Sequence, residues 1–191
     1  MGKKLDPEVE ILARISSTLE YDYTGADVEW QGSPFAWIRT RPSRQRGAIG
    51  ENLVSGWLAS RKFNVARSPD SNADRVIETQ RVEIKFSTLW ETGFYKFQQI
   101  RDQKYDMLIC LGISPFDAHC WVLKKSEVLH HWKQTNEIPA QHGGAAGKDT
   151  AWLTINPRSP QDWLSQYGGS LRQGLNRISK LTGFRPKDPN S

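Results

Sequence analysis

At 191 residues, with 37% hydrophobic and 25% charged positions, the chain is long enough for one globular domain with its own core. No apolar run approaches the roughly 18 residues a membrane span requires. The start, MGKKLDPEVE, lacks the apolar stretch of a secretory signal, so the sequence reads as cytoplasmic. The net charge of +5 is unevenly spread: residues 1–38 hold three Lys/Arg against seven Asp/Glu, and the remainder hold 23 against 14. A basic body predicts a polyanionic partner, because neutralised phosphates release counterions.

The first predicted helix starts at Asp6 as N-cap with Pro7 behind it, and Ile11, Leu12, Ile15 and Leu19 recur at helical spacing to about residue 20. Residues 21–46 show no clear period and read as a packed irregular segment. Its end, RTRPSRQR, places four arginines in residues 39–46. These are either a solvated linker or an arm contacting phosphates, with Arg41, Arg44 and Arg46 as the expected DNA contacts. A second helix is predicted over about Gly47–Arg61, with Ile49, Leu53, Trp57 and Ser60 as its stripe, Val54 and Leu58 beside it, and Glu51 at the border.

Strands follow at FNVARS, ADRVIE, RVEIKF, YDMLICLGI, HCWVL and AWLTINP, the last expected to be the final strand. A polar and aromatic segment fills 87–104, a helix runs through SEVLHHW, and 136–150 reads as a loop. A C-terminal helix ends near Leu181, and GFRPKDPNS is expected to fray. Cys110 and Cys120 lie in apolar runs and read as buried thiols. His119, Cys120, His130 and His131 lack zinc-site spacing. The expected fold class is α/β, a mixed β-sheet flanked by helices in a single domain. Residues 1–46 form an N-terminal helix and irregular arm, 47–182 the main domain with its core at about 47–125, and 183–191 a flexible tail.

The hairpin ADRVIETQRVEIKF carries the chemistry. Val82, Ile84 and Phe86 alternate with Arg81, Glu83 and Lys85, so one strand face is apolar and the other charged. A two-residue loop at Thr79-Gln80 would set Asp74 opposite Lys85 and Val76 opposite Glu83; a four-residue loop keeps that register, and an odd one moves Asp74 off the charged face. Two carboxylates and an ammonium then share one patch. Paired carboxylates repel each other, and a hard divalent cation relieves that repulsion. The bland alternative is a surface hairpin with a cross-strand ion pair.

RKFNVARSPDSNADRVIETQRVEIKFS resembles the core of the PD-(D/E)xK nuclease superfamily, the restriction-endonuclease-like fold, over about residues 47–125. The resemblance implies the order helix with an acidic residue, strand, Asp, strand with ExK, helix and two strands. It implies Mg²⁺ held by Asp74 and Glu83, with the Ile84 carbonyl as a further ligand. It also makes Lys85 the catalytic lysine and Glu51 the helix acid. Asp70, in the literal Pro69-Asp70, competes with Asp74, which the register favours. Gln98 and Gln99 fall where some members carry a helix glutamine and are expected DNA contacts, as is Lys96 in WETGFYKF, the candidate DNA-facing loop. The implied activity is Mg²⁺-dependent hydrolysis of double-stranded DNA by a homodimeric Type II restriction-type endonuclease. A junction resolvase, a mismatch nickase and a catalytically silent DNA-binding module remain alternatives. No GxxxxGK[ST] occurs, so no nucleotide cofactor is expected.

Overall fold

The structure is a computed structural model that describes residues 13–16, 28–141 and 149–186. Of the first predicted helix, residues 13–16 are helical and the rest lies outside the described residues, as does 142–148 of the predicted loop. Residues Ala36–Arg39 form a single helical turn, α1, and helix α2 spans Ser43–Ser60. Helix α2 therefore starts four residues before the expected Gly47. Pro42, with φ −54° and ψ 149°, is its N-cap, and no side chain caps it. The arginine run is consequently not a free arm. Arg39 ends α1, whereas Arg44 and Arg46 belong to the first turn of α2.

The buried positions of α2 are Gly50, Val54 and Leu58, not the Ile49–Leu53–Trp57–Ser60 stripe. The reason is close approach: a Cβ built on Gly50 would lie 2.2 Å from the Phe86 Cβ. Glycine lets the helix settle onto the sheet along the 50–54–58 row, leaving Ile49, Leu53 and Trp57 half-buried and Ser60 exposed.

Strands β1 (Val65–Arg67), β2 (Arg75–Ile77) and β3 (Gln80–Thr88) form an antiparallel meander. β4 (Tyr95–Arg101) then leaves for a second sheet, and β5 (Met107–Ile113) returns parallel to β3. β6 (Ala118–Lys124) pairs antiparallel with β5. The helix implied between the ExK strand and the next strand is thus replaced by β4. Helix α3 (Lys125–Leu129) continues as a wider turn to Gln134. β7 (Ala140–Gln141) and β8 (Thr150–Ile155) join β4 in a three-stranded sheet ordered β4-β8-β7. β8 is not the last strand. After a tight turn at Asp162–Tyr167, β9 (Gly168–Ser170) adds to β6 and completes the mixed sheet β1-β2-β3-β5-β6-β9. Helix α4 (Leu171–Thr182) follows, capped by Ser170 and Gln173 and closed by Gly183 at φ +75°.

Alternation on the central strands explains the layering. Ile109, Leu111, Cys120 and Val122 share one core with Val54 and Leu58 of α2, Ile178 of α4, and Trp30 and Ile38 from the N-terminal segment. Leu108, Cys110, Trp121 and Leu123 face the other way, onto Tyr95, Phe97, Ile100 and Leu153 of the small sheet. The chain is a single α/β domain with a mixed sheet flanked by helices. Both cysteines are free and buried, and burial pushes the Cys120 thiol up to about 12. Phe184, at the head of the predicted tail, packs against Phe63 with ring centroids 4.7 Å apart. No helix among the described residues is long and apolar enough to cross a membrane.

Candidate active site

The hairpin turns at Glu78-Thr79 instead of Thr79-Gln80: the pairs are Arg75 with Val82, Val76 with Arg81 and Ile77 with Gln80. Glu78 takes the left-handed conformation this tight turn needs, φ +54°. The register is therefore displaced by two residues from the expected one. A two-residue displacement keeps the paired side chains on their faces, and Asp74, just before the last pair, lies in the same cleft lining as Glu83 and Lys85. The Asp74 N–H donates to Val82 O at 2.9 Å, and Asp74 Oδ2 accepts the Ile84 N–H at 2.7 Å.

β2 is three residues long and covers β3 only as far as Val82, whereas β5 follows β3 to Thr88. From Glu83 onward the other edge of β3 has no strand partner among the described residues. A cleft of about 430 Å³ opens there. Asp74, Glu83, Ile84 and Lys85 line its floor, Glu51 comes from α2, and Lys96, Gln98 and Gln99 come from β4. Ser43, Arg44 and Arg46, in the uncapped first turn of α2, form part of the same lining. Nearly every residue singled out in the sequence meets in this one place.

Arg41 and Asp70 do not. The Arg41 guanidinium lies over the Trp37 ring at 5.8 Å. Asp70 sits in the exposed turn before β2, takes the Asn72 N–H at 2.8 Å, and pairs with Arg81 at 2.7 Å. The aromatic segment after β3 divides likewise. Tyr95 and Phe97 are core, while Trp90 is 43% exposed and shares the cleft lining. Lys96 Nζ stands 4.0 Å above the Trp90 ring.

The electrostatics are those of crowded carboxylates. Burial holds the Glu83 carboxyl above its ordinary range, with Asp74 pushing the same way and the Lys85 ammonium opposing. Lys85 Nζ lies 2.8 Å from Glu83 Oε1. Glu51 is also raised, first by burial and then by Asp74. Its counter-charge is Arg75, a residue whose role the hairpin pattern alone does not show. Arg75 reaches Glu51 Oε2 at 3.0 Å, Ser55 Oγ at 2.9 Å and the Asp74 carbonyl at 2.8 Å. It pairs with Val82 and so points to the α2 side. A strand arginine on a core-facing position requires an acid opposite, and Glu51 was the available one.

Among the described residues no group of three or more His, Cys, Asp and Glu is poised to hold a metal ion. Mg²⁺ needs less, since one or two carboxylates complemented by waters and substrate phosphate suffice. Asp74 and Glu83 are an all-oxygen pair whose mutual repulsion fits a hard divalent cation. Glu51, tied to Arg75, is set to tune the charge behind them.

No protein-family model matches the chain, and no curated protein matches it. Among solved structures, one match is a bacterial homing endonuclease, 13% identical, covering 74% of this chain and 94% of that one, with a TM-score of 0.48. A likeness at that level assigns no activity to this chain.

Proposed function

We propose that this protein is a Mg²⁺-dependent endonuclease of double-stranded DNA in the PD-(D/E)xK class, of Type II restriction type and acting as a homodimer. The observation that carries the reading is the juxtaposition of Asp74, Glu83 and Lys85 at the uncovered edge of β3, in a cleft rimmed by Arg44, Arg46 and Lys96. Asp74 and Glu83 would hold the cation, with the Ile84 carbonyl as a further oxygen. When bound, the cation polarises the scissile phosphate and acidifies a water. Lys85, already desolvated beside Glu83, offers its ammonium to the charge that accumulates on phosphate oxygens. Arg44 and Arg46, with the open N–H groups at the start of α2, suit the flanking phosphates. Two copies are expected because one site cuts one strand, and a short palindrome mirrors two-fold symmetry.

The test is a digest of large linear duplex DNA by the purified protein, with Mg²⁺ or with EDTA. A discrete, reproducible ladder with Mg²⁺ and none with EDTA is expected. Full activity in EDTA overturns the metal requirement. Intact linear duplex beside cut four-way junctions or mismatched duplexes replaces the restriction assignment with a structure-selective one.

Asp74→Asn and Glu83→Gln are each expected to weaken Mn²⁺ binding at least tenfold by calorimetry, with Asp70→Asn within about twofold of wild type. Charge-bearing ligands contribute on the order of a kcal/mol or more each, whereas Asp70 serves a surface pair with Arg81. An Asp70→Asn effect equal to that of Asp74→Asn would move the ligand to Asp70.

A further inference from the structure

On β4 the side chains alternate regularly through Tyr95, Lys96 and Phe97, with Tyr95 and Phe97 fully buried. Continued alternation would send Gln99 into the core after Phe97. Instead the pairing with β8 shifts: Phe97 opposes Leu153 and Ile100 opposes Ala151, so Gln98 and Gln99 together face the single residue Trp152. This is a two-against-one β-bulge. Gln99 carries it at φ +55°, a backbone conformation that a non-glycine residue adopts at a cost. Beyond the bulge, Ile100 regains the core and is fully buried. The result is that two consecutive carboxamides line the cleft beside Glu83 and Lys85. Neither side chain hydrogen-bonds a described residue. They are the only carboxamides among the described residues that line the cleft.

Resting on the nuclease reading above, we infer that the Gln98-Gln99 bulge is a base-reading device, directed at adenine edges in the major groove of duplex DNA next to the scissile phosphate. Three properties point there. A carboxamide presents a donor and an acceptor together, matching adenine N6 and N7, whereas a phosphate offers only acceptors. The cleft already supplies cations for phosphate in Arg44, Arg46 and Lys96. The groups stand on β4, the edge strand of the antiparallel sheet β4-β8-β7, and its pairing with β8 has the antiparallel form that the major groove admits. A bulge is a device for aiming side chains, and a strained bulge bearing unpartnered amides is retained for what it aims.

The experiment selects bound molecules from a pool of randomised duplex oligonucleotides in Ca²⁺ buffer and sequences them, alongside affinity against salt and thermal melting. Wild type is expected to enrich A·T pairs at fixed positions. Gln98→Ala and Gln99→Ala should each flatten that enrichment by about tenfold while leaving the salt slope unchanged; Lys96→Ala should lower the slope by about one. Gln99→Gly separates reading from folding. It relieves the positive φ, so its melting temperature should be no lower than wild type, and its enrichment should still be lost. Enrichment retained in Gln99→Gly, or a salt slope that falls with the glutamines, overturns the inference. Biased binding without cleavage defeats the nuclease reading and leaves this one standing. Unbiased binding with cleavage does the reverse, and no duplex binding at all overturns both.

Discussion

Replacing Lys85 with alanine is expected to slow DNA cleavage about a hundredfold or more while gel-shift affinity for duplex DNA stays within a few-fold. The ammonium lies 2.8 Å from Glu83 Oε1 with its side chain 19% exposed, so its field is weakly screened where phosphate charge would grow. In the proposed reading binding rests mainly on Arg44, Arg46 and Lys96, which line the cleft and which the substitution leaves in place. Retention of more than about a tenth of the rate would remove Lys85 from the mechanism. The same variant carries a signature in stability. Glu83 is buried and already held above the ordinary carboxylate value of 4.5; without Lys85 its carboxyl rises further. A raised carboxyl favours the folded state while protonated, and that contribution is lost as the pH rises through its folded value. The stability deficit of Lys85→Ala against wild type should therefore shrink as the pH is lowered from neutral. A deficit independent of pH would mean that the pair with Glu83 is not what the substitution breaks.

Gly50→Ala is expected to destabilise the fold by about 3 kcal/mol, a fall of roughly 6–12 °C in Tm for a chain of this size. Alanine is the better helix former by about 1 kcal/mol, so propensity alone predicts the opposite sign. Packing decides, because the added methyl would meet the Phe86 Cβ at 2.2 Å and its ring atoms at 2.4 and 2.8 Å. These atoms are the root of a side chain on β3, so relief requires moving α2 against the sheet. Glu51 is the next residue of α2, and Lys85 precedes Phe86. The shift should therefore spread the cleft and lower cleavage as well. A Gly50→Ala protein as stable as wild type would mean that α2 does not rest on β3 at this point. Gly56, on the exposed side of the same helix, has nothing within 4 Å of where an alanine methyl would sit and is the matched control.

The β-strands and the charged patch were legible in the sequence because period-two alternation is a local property. Val82, Ile84 and Phe86 against Glu83 and Lys85 announce both faces of β3 without any knowledge of its neighbours. Parity also protected the hairpin: an error of two residues in register left Arg75, Val76 and Ile77 on their expected faces. Two further signals lie in the sequence without standing out from it. The apolar spacing 95, 97, 100 breaks the alternation of β4 and marks the bulge at Gln98-Gln99. Pro42 followed by Ser43 marks the start of α2 inside the arginine run. What the sequence by itself determined was the set of charged side chains that line the cleft and the face that each residue of β3 presents. Tertiary structure alone decided that β4 replaces a helix, that α2 buries the Gly50 row, that Arg75 holds Glu51, and that Asp70 and Arg41 stay out of the cleft. Those outcomes depend on contacts between segments distant along the chain, where close packing and the pairing of buried charge choose among arrangements that local periodicity leaves equal.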